Sequence, residues 1–206
     1  MILFLAGYVF GAIPFGLVLC SVGGYGDIRR IGSGNIGATN VLRTGNKLLA
    51  ALTLILDIGK GAIPIAVFWW LNNFQIDRMD FLTIGLGAII GHNFPVWLKF
   101  KGGKGVATTI GTLVAAVPVT GLAVCLVWLL MAGLSRISSL SALSALFIAP
   151  FVTFAIYGAG PAMLTGAIAL LGILRHHANI SRLIKGQEPK INFSKTRNNK
   201  GDNKNV

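Results

Sequence analysis

The chain has 206 residues, 54% of them apolar and only 12% charged, with a mean hydropathy of +0.73, which excludes an ordinary soluble domain. Its formal net charge is +12, yet the cations sit in short clusters beside apolar runs with no nucleic-acid-binding module around them. Membrane topology and anionic lipid account for them, and no nucleic acid partner is expected.

Charge-poor runs recur at 2–22, 48–71, 81–98, 106–134, 140–157 and 161–174. Their continuity predicts membrane-spanning α-helices, because a β-barrel would show alternating segments of about ten residues. The first run lacks a basic leader region and is predicted to be a retained helix rather than a signal peptide. The second holds Asp57 and Lys60 at i, i+3, predicted to pair and to face protein instead of lipid. The fourth is 29 residues long. As one straight helix it would measure about 43 Å against a hydrocarbon core of roughly 30 Å, so a break is predicted near Pro118, with short, tilted or partly re-entrant pieces.

With seven crossings, the loop before Leu48, the loop around Lys101, the turn at Arg136 and the C-terminal tail share one side and hold 16 of the 18 Lys and Arg residues. The positive-inside rule then predicts an all-α integral membrane protein of seven transmembrane helices, N-terminus outside and C-terminus cytoplasmic. The expected organisation is one membrane domain over 1–190 and a basic, disordered tail over 191–206. Cys20 and Cys125 fall within apolar runs without metal or redox spacing and are expected to pack. Gly85, Gly87 and Gly91 are expected to permit close helix packing.

Three polar islands fall on the predicted cytoplasmic side. The first is Gly32-Ser33-Gly34-Asn35-Ile36-Gly37-Ala38-Thr39-Asn40, ending at Arg43. It matches G-x-G-x-x-G formally but lacks the βαβ setting of a dinucleotide site. Backbone donors among its glycines, side-chain donors and a guanidinium still suit a phosphate. The second is Gly91-His92-Asn93-Phe94-Pro95, followed by Lys101-Gly102-Gly103-Lys104-Gly105 leading into a predicted helix N-terminus; the glycines are expected to admit an anion to the backbone. The third is His176-His177-Ala178-Asn179 through Glu188, with His176, Asn179 and Leu183 on one face if the last helix continues.

Taken together, SGNIGATNVLR, GHNFPVW…FKGGKGVAT and HHANISRLIKGQE resemble the three signature segments of the bacterial glycerol-3-phosphate acyltransferases that use acyl phosphate, the PlsY family. The resemblance implies a seven-helix inner-membrane enzyme with cytoplasmic motifs. It would transfer a fatty acyl group from acyl phosphate to the 1-hydroxyl of sn-glycerol 3-phosphate, releasing lysophosphatidic acid and phosphate. By the same resemblance Ser33, Asn35 and Arg43, the Gly102-Gly103-Lys104 region, and His176, Asn179 and Glu188 bear the motifs. Joined to the reading of the loops, the candidate catalytic residues are Ser33, Arg43, His176 and Asn179. The candidate substrate-binding residues are Gly32, Gly34, Asn35, Gly37, Thr39, Asn40, Lys101, Gly102, Gly103, Lys104, Gly105 and Glu188.

No cofactor or metal is implied, since the six acids are scattered along the chain. No H-x4-D dyad supplies an acid to a histidine base, so the alcohol proton would go to His176 or to a substrate phosphate oxygen, the latter being preferred. A covalent route through Ser33 lacks a base in the sequence. The competing class is a small anion transporter or channel, against which stands the clustering of polar islands on one face.

Overall fold

A computed structural model describes residues 1–75 and 77–191, so the tail expected over 191–206 falls, apart from Ile191, outside the described residues. Those residues form helices and connecting loops without a strand: α1 (Ile2–Gly11), α2 (Phe15–Val22), α3 (Ala38–Val41), α4 (Lys47–Leu71), α5 (Arg78–Asn93), α6 (Val106–Ala116), α7 (Pro118–Ser135), α8 (Ser138–Tyr157), α9 (Ala159–Arg175) and α10 (His177–Ile184). Five stretches are long and apolar enough to cross a membrane, and six if the bent pair α9 and α10 counts as one; α6 is a shorter apolar helix.

Local chemistry sets the ends. Asn46 caps α4 by accepting from the Leu49 N–H at 3.0 Å, and Asp77 caps α5 by accepting from Met79 at 2.8 Å. The break expected near Pro118 is present: α6 stops at Ala116 and Pro118 opens α7, where its missing N–H is harmless. Pro14 separates α1 from α2 and leaves backbone carbonyls without helical donors. The Trp97 indole donates to the Ala12 carbonyl at 2.5 Å, and the Lys60 ammonium donates to Ile13 at 3.1 Å. In a bilayer such freed carbonyls must find partners inside the protein.

The buried core joins Ile65, Phe81, Leu82, Ile84, Ile89, Leu113 and Ile168, while small residues set the closest helix contacts. Helix α1 packs on α5 through Gly7 and Gly11 on one side and Gly87 and Gly91 on the other, and a Cβ at any of these would overlap the opposing backbone. This is the close helix approach expected of the α5 glycines, with Gly85 serving the same purpose against Thr112 of α6. Gly11→Ala is expected to lower stability by about 1–3 kcal/mol through overpacking against Ala88. Gly166→Ala, where the added carbon meets only Pro150 at 3.9 Å, is the matched control in thermal unfolding. Equal stability of the two variants would disprove the contact.

Asp57 and Lys60 do pair, at 2.7 Å, both side chains almost fully buried. His92 Nδ1 lies 3.8 Å from the same Asp57 oxygen.

Candidate active site

The three islands converge on one cavity of about 910 Å³. The first loop is built around Asn40, which is 1% exposed. Its amide NH₂ donates to the carbonyls of Ile28, Ile31 and Asn35 at 2.8–3.1 Å, and its Oδ1 accepts from the Ser33 N–H at 3.0 Å and from the Ser33 hydroxyl at 3.3 Å. Asn40, itself on the cavity wall, therefore organises the loop, its amide donors being engaged by the loop's own carbonyls. Gly32 takes φ +56°, and a side chain there would collide with Asn40 and with Arg43. Arg43 is exposed on the cavity wall with no hydrogen-bond or ion-pair partner among the described residues. Ser33, Asn35, Gly37 and Thr39 share that wall, and Thr39 reaches Ser138 at the start of α8, oxygen to oxygen at 3.3 Å.

The second loop departs from expectation in its glycines. The Gly102 and Gly103 N–H groups donate to the carbonyls of Asn93 and His92 at 3.1 and 3.0 Å, and their own carbonyls accept from the Arg175 guanidinium at 2.9–3.1 Å. Any Cβ at Gly103 would overlap the His92 ring. The close approach these glycines permit is to the protein's own chain, so no backbone donor there is left for an anion. Gly34, Lys101, Gly102 and Gly103 do not line the cavity, whereas Lys104, Gly105, Val106 and Ala107 do. The first turn of α6, whose N–H groups have no side-chain cap, borders the cavity at Val106 and Ala107.

The last helix does not continue straight. It bends by 62° between α9 and α10. The bend brings His176 and Asn179 to the cavity and leaves Leu183 off its wall. His176 is 2% exposed, and since a carbonyl only accepts, its Nδ1–H donates to Gly172 at 2.7 Å and Nε2 is the basic nitrogen.

From Lys104 a continuous polar chain crosses the cavity floor. The ammonium donates to Asn179 Oδ1 at 2.6 Å, the Asn179 amide donates to Glu188 Oε1 at 2.5 Å, and Glu188 also accepts from Ser139 at 2.7 Å and from Arg182 at 2.7 Å. This chain fixes the amide orientation of Asn179, one end facing a cation and the other a carboxylate. Burial pulls Lys104 down to about 8, opposed by Glu188 and aided by the cations of Arg182, Arg175 and Arg43. Glu188 would be raised by burial, but hydrogen bonds from Asn179, Ser139 and Arg182 together hold it below the usual carboxylate range. Glu188 lines the cavity beside Asn179 and holds its amide.

The reading of the sequence missed Arg175 and Ser139. Arg175 had been counted only as a topology cation, yet it clamps the Gly102-Gly103 carbonyls and lies over the Phe94 ring at 4.9 Å. The Ser138-Ser139 pair opening an apolar helix was the available signal for the second. Asp57, His92 and Cys125 also reach the cavity, so Cys125 is not purely a packing residue. Cys20 is, being 0% exposed beside Ile28 and Val41.

Residues 1–186 match the family described as glycerol-3-phosphate acyltransferase. The chain belongs to that family. A glycerol-3-phosphate acyltransferase of Paramagnetospirillum magneticum is 56% identical over 96% of each chain. One of Rhodospirillum rubrum is 52% identical, covering 93% of this chain and 90% of the relative. The fold matches a crystal structure of PlsY, described as an integral membrane glycerol 3-phosphate acyltransferase in its glycerol 3-phosphate form, with a TM-score of 0.85 at 38% identity, covering 93% and 94% of the two chains. The same enzyme in its lysophosphatidic acid form matches with a TM-score of 0.82 at 37% identity, over 92% and 93%. This chain is accordingly a PlsY-family membrane acyltransferase, and the transporter reading is set aside.

Proposed function

We propose that the protein transfers a fatty acyl group from acyl phosphate to the 1-hydroxyl of sn-glycerol 3-phosphate, giving lysophosphatidic acid and phosphate and opening phospholipid synthesis. The observation that carries this reading is the joining of two surfaces: a cavity with the cations Arg43 and Lys104 runs into an apolar cleft lined by Leu54, Trp128 and Leu129. Two anionic substrates, one with a fatty chain, need this combination of charge and apolar wall.

Lys104 and the first turn of α6 take the phosphate of glycerol 3-phosphate. Ser33, Arg43 and Asn179 face the acyl phosphate and the charge developing on its carbonyl oxygen. The glycerol oxygen bonds to the acyl carbon, the acyl–phosphate C–O bond breaks, and the departing phosphate carries away the hydroxyl proton. His176 positions the substrates: its ring is tied to a backbone carbonyl, and among the described residues no carboxylate is hydrogen-bonded to it to strengthen it as a base. The topology assigned is an inner-membrane bundle of seven crossings, with α6 as a short one, the N-terminus outside, and the site loops and C-terminus cytoplasmic.

Purified protein should release phosphate only when acyl phosphate and glycerol 3-phosphate are both present; no release with the pair would refute the reading. His176→Ala should retain the chemical step in single turnovers at saturating substrates, and its loss with binding intact would move the base to His176. Lys104 adds a pH signature. A lysine depressed to about 8 is charged below that pH and loses its charge above it. The KM for glycerol 3-phosphate should therefore climb between pH 7 and 9 with an inflection near 8, and Lys104→Arg should flatten the climb. A profile unchanged in the arginine variant would exclude Lys104 as the phosphate cation.

A further inference from the structure

Helices α4 and α7 border the cavity but do not pack closely on each other. Between them lies a second space of about 820 Å³, joined to the first along Thr39, Leu42, Leu54 and Trp128. Its α4 wall is Lys47, Ala50, Ala51 and Leu54, one helical face. Its α7 wall runs from Trp128 through Ala132 and Gly133 to Arg136, a climb of about 12 Å. The small residues keep the cleft open, and its apolar interior ends at the same level on two exposed cations, Lys47 and Arg136. Neither side chain has a hydrogen-bond or ion-pair partner among the described residues. Of the cations near the site, Lys104 is engaged by Asn179, Arg175 by Gly102 and Gly103, and Arg182 by Glu188, whereas Arg43 on the cavity wall shares with the two rim cations the lack of a partner among the described residues.

We propose that this cleft is the lateral door by which the acyl phosphate enters from the bilayer, and that Lys47 and Arg136 capture its phosphate before Arg43 receives it. Apolar walls with cations only at the rim fit one ligand class, a single-chain lipid with an anionic head. Continuity with the catalytic cavity makes that ligand the donor of the reaction proposed above, on which the inference rests. Lys47 and Arg136 act on capture and not on the bond exchange, because the site of that exchange lies at Ser33, Arg43 and Asn179.

The test uses full-length protein and hexadecyl phosphate, a single-chain anionic lipid that cannot transfer an acyl group, with binding followed by tryptophan fluorescence and calorimetry. In Lys47→Gln/Arg136→Gln its Kd should rise roughly ten- to thirtyfold, the loss expected for two interfacial cations, and its salt dependence should flatten. The KM for acyl phosphate should rise alongside, with the affinity for glycerol 3-phosphate and the kcat at saturating donor within about twofold of the parent. Gly133→Trp plugs the cleft from a position where an added Cβ meets nothing within 4 Å, so the fold tolerates it while hexadecyl phosphate binding is lost. Unchanged hexadecyl phosphate binding in either variant overturns the door. An equal loss of glycerol 3-phosphate affinity in the double variant also overturns it, because the cations would then act as a general field. Absence of phosphate release by the parent protein would instead strike the acyl phosphate reading, and the two failures are distinguishable.

Discussion

Lys104→Met is expected to lower kcat/KM for glycerol 3-phosphate by about 10²–10³-fold, the usual loss when one preorganised charged donor is removed from a dry site. The reasoning starts from placement. Lys104 follows a loop locked by Arg175 and by the His92 and Asn93 carbonyls, so its ammonium is delivered to the cavity with little freedom. Asn179 holds it at 2.6 Å and is itself held by Glu188. Asn179→Ala should give a similar loss, and the double variant should lose much less than the product of the two, since the residues act as one unit. Independent, multiplicative losses would mean that the chain from Lys104 to Glu188 has no functional coupling. The sign of the stability effect is opposite. A lysine with a depressed pKa destabilises the folded state below about 8, and stability recovers as pH rises from there toward 10.5. Lys104→Met should lack this pH-dependent gain while losing activity, a separation that thermal unfolding at pH 7 and 9 would reveal.

The second large effect concerns the buried pair. Lys60→Met alone is expected to destabilise by about 3–5 kcal/mol, because it strands the Asp57 carboxylate at 2% exposure and also removes the donor to the Ile13 carbonyl at the α1–α2 break. Asp57→Asn/Lys60→Met should recover much of this loss, since neutralising both partners removes the stranded charge. The measurement is thermal unfolding in detergent together with the yield of monodisperse protein. If Lys60→Met were as stable as the parent, the pair would have no structural role. If the double variant were stable but inactive, Asp57 or His92 on the cavity wall would carry a part in the reaction.

Much of the architecture was legible because its causes are local. Unbroken apolar runs declare membrane helices, Pro118 cannot continue α6, and an acid and a lysine three residues apart inside a span have each other as the nearest partners. The length of α6 was less legible: a break was foreseeable, but a helix of 11 residues reflects how it wedges between α4 and α5. Within the site, Ser33, Arg43, Lys104, His176, Asn179 and Glu188 were identifiable from the motifs, and all line the cavity. The roles of their neighbours were not. Asn40 and the Gly102-Gly103 pair have the same composition as ligand-binding donors, and only their partners reveal that those donors are already engaged.

The sequence by itself determined that this is a helical membrane protein with three polar islands, because composition and periodicity are properties of a linear chain, and the order of its motifs carried the resemblance to PlsY that the family match bears out. Tertiary structure alone decided which donors remain free. Pairing at separations of 72 residues, as between Arg175 and Gly103, or 75, as between Lys104 and Asn179, depends on how helices approach through glycine contacts. A hydrogen-bonding group committed to its own fold cannot also bind a ligand, and that commitment is settled only when distant segments meet.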